Sequence, residues 1–361
     1  MSKHRNIPLP PRLIFGRKAI DQMGELLEPN RKNPESPFIY ILDHFFKKDR
    51  TLASRLPLLN NDLILYADTT EEPKTKQIDR IRNRLKRAFG ENISGVIGIG
   101  GGSVMDIAKA VALMLTNKGS SAQYQGWDLI QNPALYKVGI PTLSGTGAEV
   151  SRTCVLMGPE KKLGINSDHT PFDQIVLDPD LIANVPKTQR FYTGMDCYIH
   201  CIESLQGSYI NAFSKAHGEK ALSLCREVFL ECDEWSPQCD EKLMMASYLG
   251  GISIATSQVG VVHALSYGLS YWLGIKHGEG NCIVMDHTQK YYPDGYAEFQ
   301  RMLEKNEIQL RKNICENLTD KDHKIMSRVA LGLEPLWENA LGKDWKNKIN
   351  PQVLKEIYQK I

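Results

Sequence analysis

No apolar run in this chain reaches the roughly 20 residues of a membrane-spanning helix without a glycine or polar interruption. The opening MSKHRNIPLPPRLIFG also lacks an uninterrupted apolar core of signal-peptide length, so a cytoplasmic protein with no membrane partner is expected. Net charge is nearly missing: 44 Lys plus Arg against 42 Asp plus Glu leave +2, which removes the electrostatic case for a nucleic-acid partner. Eight cysteines are present but no CxxC, and Cys197 and Cys201 fall inside an expected helix, which argues against a disulfide framework. Cys225, Cys232 and Cys239 share a regular spacing, yet Pro237 breaks any helix before the third; buried thiols are the reading. A complete GxGxxG dinucleotide fingerprint is lacking too, because Ser103 stands where its last glycine would be.

What is there is a chain of 361 residues, 42% hydrophobic and 24% charged, large enough for two domains of ordinary size. FIYIL (38–42), LILYA (63–67), GVIGIG (95–100) and VGIPT (138–142) read as buried strands, with a charged helix PKTKQIDRIRNRLKRAF between the second and third. Alternation of this kind predicts a parallel sheet covered by helices. Residues 152–177 read as short strands with turns, and from about 187 onward the spacing is helical almost throughout. The expected division is an α/β nucleotide-binding domain over 1–183 and an all-helical domain over 184–361.

Two loops carry the nucleotide-binding case. GVIGIG runs into Gly100, Gly101, Gly102 and Ser103 and then into an apolar-striped helix. Glycines let backbone approach a diphosphate, and the first helical amides offer it unsatisfied donors. Ser103 and Asp106 are read with this loop, their other reading being a capping pair for the helix. The second loop, Thr142, Leu143, Ser144, Gly145, Thr146 and Gly147, follows VGIPT and concentrates hydroxyls. Both should lie at carboxyl ends of strands, where open α/β sheets bind ligands. Asp43, ending the first strand, suits a ribose diol and opposes a 2′-phosphate; the alternative is a simple cap.

Asp196 and His200 are four apart in GMDCYIHCIESL and project from one helix face. With His263 and His277 they make a one-carboxylate, three-imidazole set, which suits a borderline divalent ion such as Fe(II) or Zn(II). Lys161, Lys162 and Arg152 are candidate partners of a substrate carboxylate.

Taken in order, GIGGGSVMDIAKA, PTLSGTGAEVS, GMDCYIHCIES, VVHALSYGLS and KHGEGN resemble the iron-containing alcohol dehydrogenase family, which shares its fold with dehydroquinate synthase and glycerol dehydrogenase. The resemblance implies an α/β domain joined to an all-α domain, NAD (with NADP as the alternative) and one divalent metal. It assigns Asp196, His200, His263 and His277 to the metal, and Gly101, Gly102, Ser103, Thr142, Ser144, Thr146 and Lys162 to the cofactor. It also leaves open a lyase that returns its nicotinamide unchanged. Many members carry a second histidine four residues after the third ligand; this chain has Tyr267 there, a candidate proton relay whose other reading is an aromatic that packs beside the site. At a finer level YQGWDL, SRTCVLMGPEKKLGINSDHTPFDQ and FYTGMDCYIHCIESL are similar to a branch that oxidises a sugar-acid alcohol to an aldehyde for a following aminotransferase. The expected partners are therefore a small sugar acid, that aminotransferase in the same pathway, and a second copy in a homodimer.

Overall fold

The structure is a computed structural model that describes residues 7–48 and 50–361. Its first part holds nine strands: β1 (Leu13–Phe15), β2 (Phe38–Asp43), β3 (Leu63–Ala67), β4 (Gly95–Gly100), β5 (Gly126–Trp127), β6 (Tyr136–Pro141), β7 (Thr153–Met157), β8 (Lys162–Asn166) and β9 (Gln174–Leu177). Six of them form one sheet in the order β1-β9-β6-β4-β2-β3, with every pairing parallel. Residues along β2 and β4 are buried without alternation, as strands of a covered parallel sheet must be. Phe38, Tyr40, Ile97, Val138 and Val176 pack with Ile20 and Met23 into the core. β5, β8 and β7 make a separate three-stranded sheet, with β7 antiparallel to β8.

The strand order reverses between β2 and β4: the chain moves outward from β2 to β3, then returns to β4 and continues the other way through β6 and β9. Such a reversal opens a crevice beyond the strands' carboxyl ends. Of the helices here, α1 (Met23–Leu27), α2 (Arg50–Ser54), α3 (Thr75–Phe89) and α4 (Gly102–Met114), the last starts at that crevice. The cap read at Ser103 and Asp106 does not form. Gly101 is the N-cap and has no side chain to offer, while Asp106 Oδ2 accepts from the Val155 N–H at 3.1 Å and so ties α4 to β7.

The second part is helical: α5 (Lys187–Gln206), α6 (Ala212–Arg226), α7 (Pro237–Thr256), α8 (Val261–Leu273), α9 (His277–Met285), α10 (Pro293–Lys305), α11 (Asp320–Leu331), α12 (Glu334–Leu341) and α13 (Pro351–Tyr358). Asn211 caps α6 by accepting from the Phe213 and Ser214 amides, and Pro237 sits in the first turn of α7, where its missing N–H costs nothing. A π-helical turn over Glu227–Glu231 ends α6, so the three regularly spaced cysteines share no continuous helix. All eight cysteines are free thiols, seven of them buried.

The chain divides into two compact units, one holding the described residues through Leu143 with Ala148–Asn184, the other holding Ser144–Gly147 with Val185–Ile361. The break after Asn184 differs by one residue from the division at 183/184, and Ser144–Gly147 depart from it altogether. Packing explains the departure. The Gly145 amide donates to Ser247 Oγ at 2.7 Å, and Gly147, at φ +59°, lies against the backbone of Gly251, both partners being on α7. Among the described residues no single helix is long and apolar enough to cross a membrane.

Candidate active site

Three helices of the second unit build the metal-ligand set. α5 carries Asp196 and His200 one turn apart, α8 carries His263, and α9 opens with His277. One potential ligand atom from each of the four lies within 4.8 Å of the others. The Nε2 atoms of His263, His200 and His277 stand 3.3, 3.5 and 3.6 Å from a single carboxylate oxygen, Asp196 Oδ1. These separations are long for hydrogen bonds. They match the edge of about 3.4 Å that a tetrahedral ion with bonds of about 2.1 Å imposes on neighbouring ligands. Asp196 Oδ2 is buried and has no hydrogen-bond partner, a vacancy that native interiors rarely tolerate. The donors therefore fit one borderline divalent cation.

The electrostatics agree for Asp196 and His200, whereas His263 must release a proton before it can bind an ion. Burial opposes a charge on Asp196, but the surrounding imidazoles outweigh it and hold the carboxyl well below the usual range. Burial drives His200 down to about 3, so it offers a neutral ring with a free lone pair. His263 is also opposed by burial, yet Glu203 and Asp196 raise it to about 9. Glu203 is one further turn along the same face of α5, and its Oε2 lies 2.5 Å from His263 Nδ1 while its Oε1 accepts the Val262 N–H at 2.7 Å. It thereby fixes the ring so that Nε2 points at the other ligands. The sequence signal for Glu203 is its position seven after Asp196, which continues the Asp196–His200 stripe.

His277 is the open side of the cage: its side chain is 25% exposed against 3% for His200 and His263. Tyr267, on α8 one turn beyond His263, meets the His277 ring edge-on at 5.8 Å and 85°. The one candidate proton relay is thus beside the one accessible ligand.

The residues expected to meet a nucleotide divide between the two units. Asp43 ends β2 and Gly100 ends β4, neighbouring strands that flank the reversal of strand order, with Gly101, Gly102 and Ser103 opening α4. Thr142 follows β6 and donates its amide to Gly100 O at 2.9 Å. Gly100 and Gly101 leave no room for side chains, since a Cβ would strike Val104 and Leu143 respectively. Asp43 caps the following turn, accepting from the Phe45 amide at 3.0 Å and from Thr69 Oγ1 at 2.9 Å, which is its capping reading. Lys162 is buried on β8, 3.4 Å from Glu72. Asp106 is engaged by Val155 and Lys109, and burial pushes its carboxyl up to about 6. Ser144 and Thr146 belong to the helical unit. Arg152 is held by Asp168 at 2.7 Å and by Asp128, which satisfies the cation expected to meet a substrate carboxylate. Lys161 donates to Gln125 O.

Comparison with known proteins follows the same division. Residues 10–179 match the family Iron-containing alcohol dehydrogenase, and residues 190–340 match Fe-containing alcohol dehydrogenase family, C-terminal. Sulfoacetaldehyde reductase of Bilophila wadsworthia is 32% identical over 220 residues, 59% of this chain and 56% of that one. Alcohol dehydrogenase 4 of Schizosaccharomyces pombe is 30% identical over 231 residues, 63% of this chain and 54% of that one. The matched stretch thus spans little more than half the length of either relative. The solved structure of sulfoacetaldehyde reductase from Bifidobacterium kashiwanohense in complex with NAD+ has the same fold, with a TM-score of 0.82 and 20% identity over 99% of this chain and 98% of that one.

Proposed function

Because the chain belongs to the iron-containing alcohol dehydrogenase family, we propose that it is a metal-dependent, NAD-linked alcohol dehydrogenase acting on a small, acid-bearing alcohol. The observation that carries this reading is the convergence of three imidazole Nε2 atoms on Asp196 Oδ1. Asp196, His200, His263 and His277 would hold a divalent ion, which when bound would supply Lewis acidity to an alcohol oxygen, while NAD would supply the hydride-accepting chemistry. The protein's part is positioning. Glu203 locks the His263 ring, the buried faces of His200 and His263 exclude water, and the exposed edge of His277 admits the alcohol. Tyr267 stands on that open side and relays the alcohol's proton outward through its hydroxyl. Gly100–Ser103 and Thr142 receive the cofactor diphosphate, and Asp43 takes the ribose diol.

For the substrate, the segments at 124–129, 151–174 and 191–205 support 3-deoxy-D-manno-octulosonate 8-oxidase activity: oxidation of the C8 alcohol to an aldehyde that an aminotransferase then converts to the 8-amino sugar of lipopolysaccharide. A homodimer is part of the same proposal, supported by β1, an edge strand whose Leu13 and Phe15 are exposed. The test is to incubate the metal-loaded protein with this sugar acid and NAD, follow reduced nicotinamide, and trap the product aldehyde. Stoichiometric reduced cofactor with the aldehyde at C8 is expected. Turnover without net reduced cofactor would instead mean a lyase of the dehydroquinate synthase kind. A second substrate reading, reduction of a short sulfonated aldehyde, is favoured by the Bilophila relative and is tested by running the reverse reaction with sulfoacetaldehyde.

A further inference from the structure

Cys232 and Cys239, two of the three regularly spaced cysteines, take no part in the metal-ligand set. Cys232 follows the π-helical turn that ends α6, and Cys239 lies in the first turn of α7, so the short connection between these helices folds the two thiols together. The Cys232 S–H is shared between Glu234 O, at 2.8 Å, and the Cys239 sulfur. Cys239 is buried and also meets Ser236 Oγ at 3.3 Å, whereas Cys232 alone among the eight cysteines is partly exposed. A second sulfur pair, Cys197 and Cys225 at 3.7 Å, is fully buried.

A thiolate, not a thiol, attacks a disulfide sulfur, so the chemistry of this pair depends on whether it can hold a negative charge. Burial opposes a charge on Cys239, but hydrogen bonds from Cys232 and Ser236 and the nearby Lys242 ammonium outweigh it and draw the thiol below its ordinary value. The amides of the first turn of α7 favour negative charge at the same place. The proton left in the contact belongs to Cys232, whose thiol is pushed up to about 11 by burial and by the hydrogen bond with Cys239. One charge and one proton are thus divided between neighbouring sulfurs, and solvent reaches one of the two.

We propose that Cys232 and Cys239 form a reversible exchange site for small-molecule disulfides, which oxidise the pair to an internal disulfide. With the shared proton moved to Cys239, the Cys232 thiolate attacks one sulfur of the small disulfide. A bond forms at Cys232 Sγ, the reagent's own S–S bond breaks, and its leaving thiolate takes the proton from Cys239. The Cys239 thiolate then attacks Cys232 Sγ, closing the protein disulfide and expelling the second small thiolate, which is protonated from solvent. Two protein thiols lose two electrons and two protons, and the small disulfide gains them as two thiols. The new bond encloses residues 232–239 with Trp235 among them. Trp235 donates its Nε1–H to Asp240 Oδ1 at 2.7 Å and carries the Arg190 guanidinium 4.0 Å above its ring. Oxidation therefore ties α6 to α7 at the place where Arg190 of α5 is held.

The test is to treat the folded full-length protein with excess oxidised glutathione, alkylate the remaining thiols and weigh the tryptic peptides by mass spectrometry. Cys232 and Cys239 fall in one such peptide, residues 227–242. That peptide is expected to lose both alkylatable thiols, to be lighter by two hydrogens, and to recover both thiols on reduction, while the other six cysteines stay reduced. Cys239→Ser should instead carry one glutathione on Cys232, because the closing step is lost. Two alkylated thiols in the wild-type peptide overturn the inference. So does a Cys197–Cys225 bond formed as readily, or Cys239→Ser that takes up no glutathione. Where circular dichroism shows that Cys239→Ser does not fold, the wild-type peptide decides alone.

Discussion

Glu203 touches no proposed ligand of the ion except through His263, which makes it a sharp probe of how a single outer contact sets the site. Replacing it by Gln keeps the shape but removes the charge that holds His263. Metal affinity should fall about 10–100-fold, measured by chelator competition; unchanged affinity would remove Glu203 from the site. Tyr267→Phe deletes only the hydroxyl beside His277. We expect kcat to drop about 100-fold with KM little changed, and a wild-type kcat would leave Tyr267 a packing residue. Asp43→Asn keeps the turn cap while removing the charge that opposes a 2′-phosphate. The ratio of kcat/KM for NADP over NAD should rise about tenfold, the equivalent of about 1.4 kcal/mol. At this scale the sequence was readable wherever chemistry and spacing coincide. Asp196 and His200 announce themselves because an acid and an imidazole four apart must share a helix face. Glu203, three after His200, continues the same face. Its contact with His263 was not legible, because a Glu on a helix has an ordinary explanation until the facing helix is known.

The second loop shows how an element is committed by contacts the sequence does not announce. Gly145 sits at φ +154°, and a Cβ there would run into the Thr193 carbonyl at the turn of α5 before Asp196. Backbone cannot yield as a side chain can, so Gly145→Ala should destabilise the helical unit by about 1–3 kcal/mol, read as a lower urea midpoint with an unchanged slope. Strands β2, β3, β4 and β6 were legible because buried parallel strands are continuous runs of Ile, Val and Leu. β1 and β5 were not: with three and two residues, more than half of them exposed, they are strands only because a neighbour pairs with them. The absent Ser103 cap follows similar logic, since the N-cap of α4 is Gly101, which has no side chain to accept from the first amides.

Over the whole molecule, the ligand set lies entirely within the helical unit, whereas most of the nucleotide residues lie in the other. Loading the metal should therefore raise the unfolding temperature of one unit selectively. At a metal concentration about 1,000 times Kd the gain is about 4 kcal/mol, and at roughly 2–4 °C per kcal/mol for a unit of this size chelation should lower that transition by on the order of 10 °C in calorimetry. Equal loss in both transitions, or none, would contradict the assignment. The overall division was legible because the hydrophobic period changes once along the chain. Reading in chain order could not show that Ser144–Gly147 leave one unit for the other and return, because that excursion depends on where α5 and α7 happen to lie.

The cage draws its ligands from positions 196 to 277, so no shorter nascent chain can complete it. At a synthesis rate of about 5–20 residues per second, the α/β unit has a head start of roughly 5–20 s before His277 is made. For most of that interval the growing chain holds only Asp196 and His200 of the four ligands. Selection of the right ion is thus a late event in the life of the polypeptide, decided when α9 arrives and closes the site.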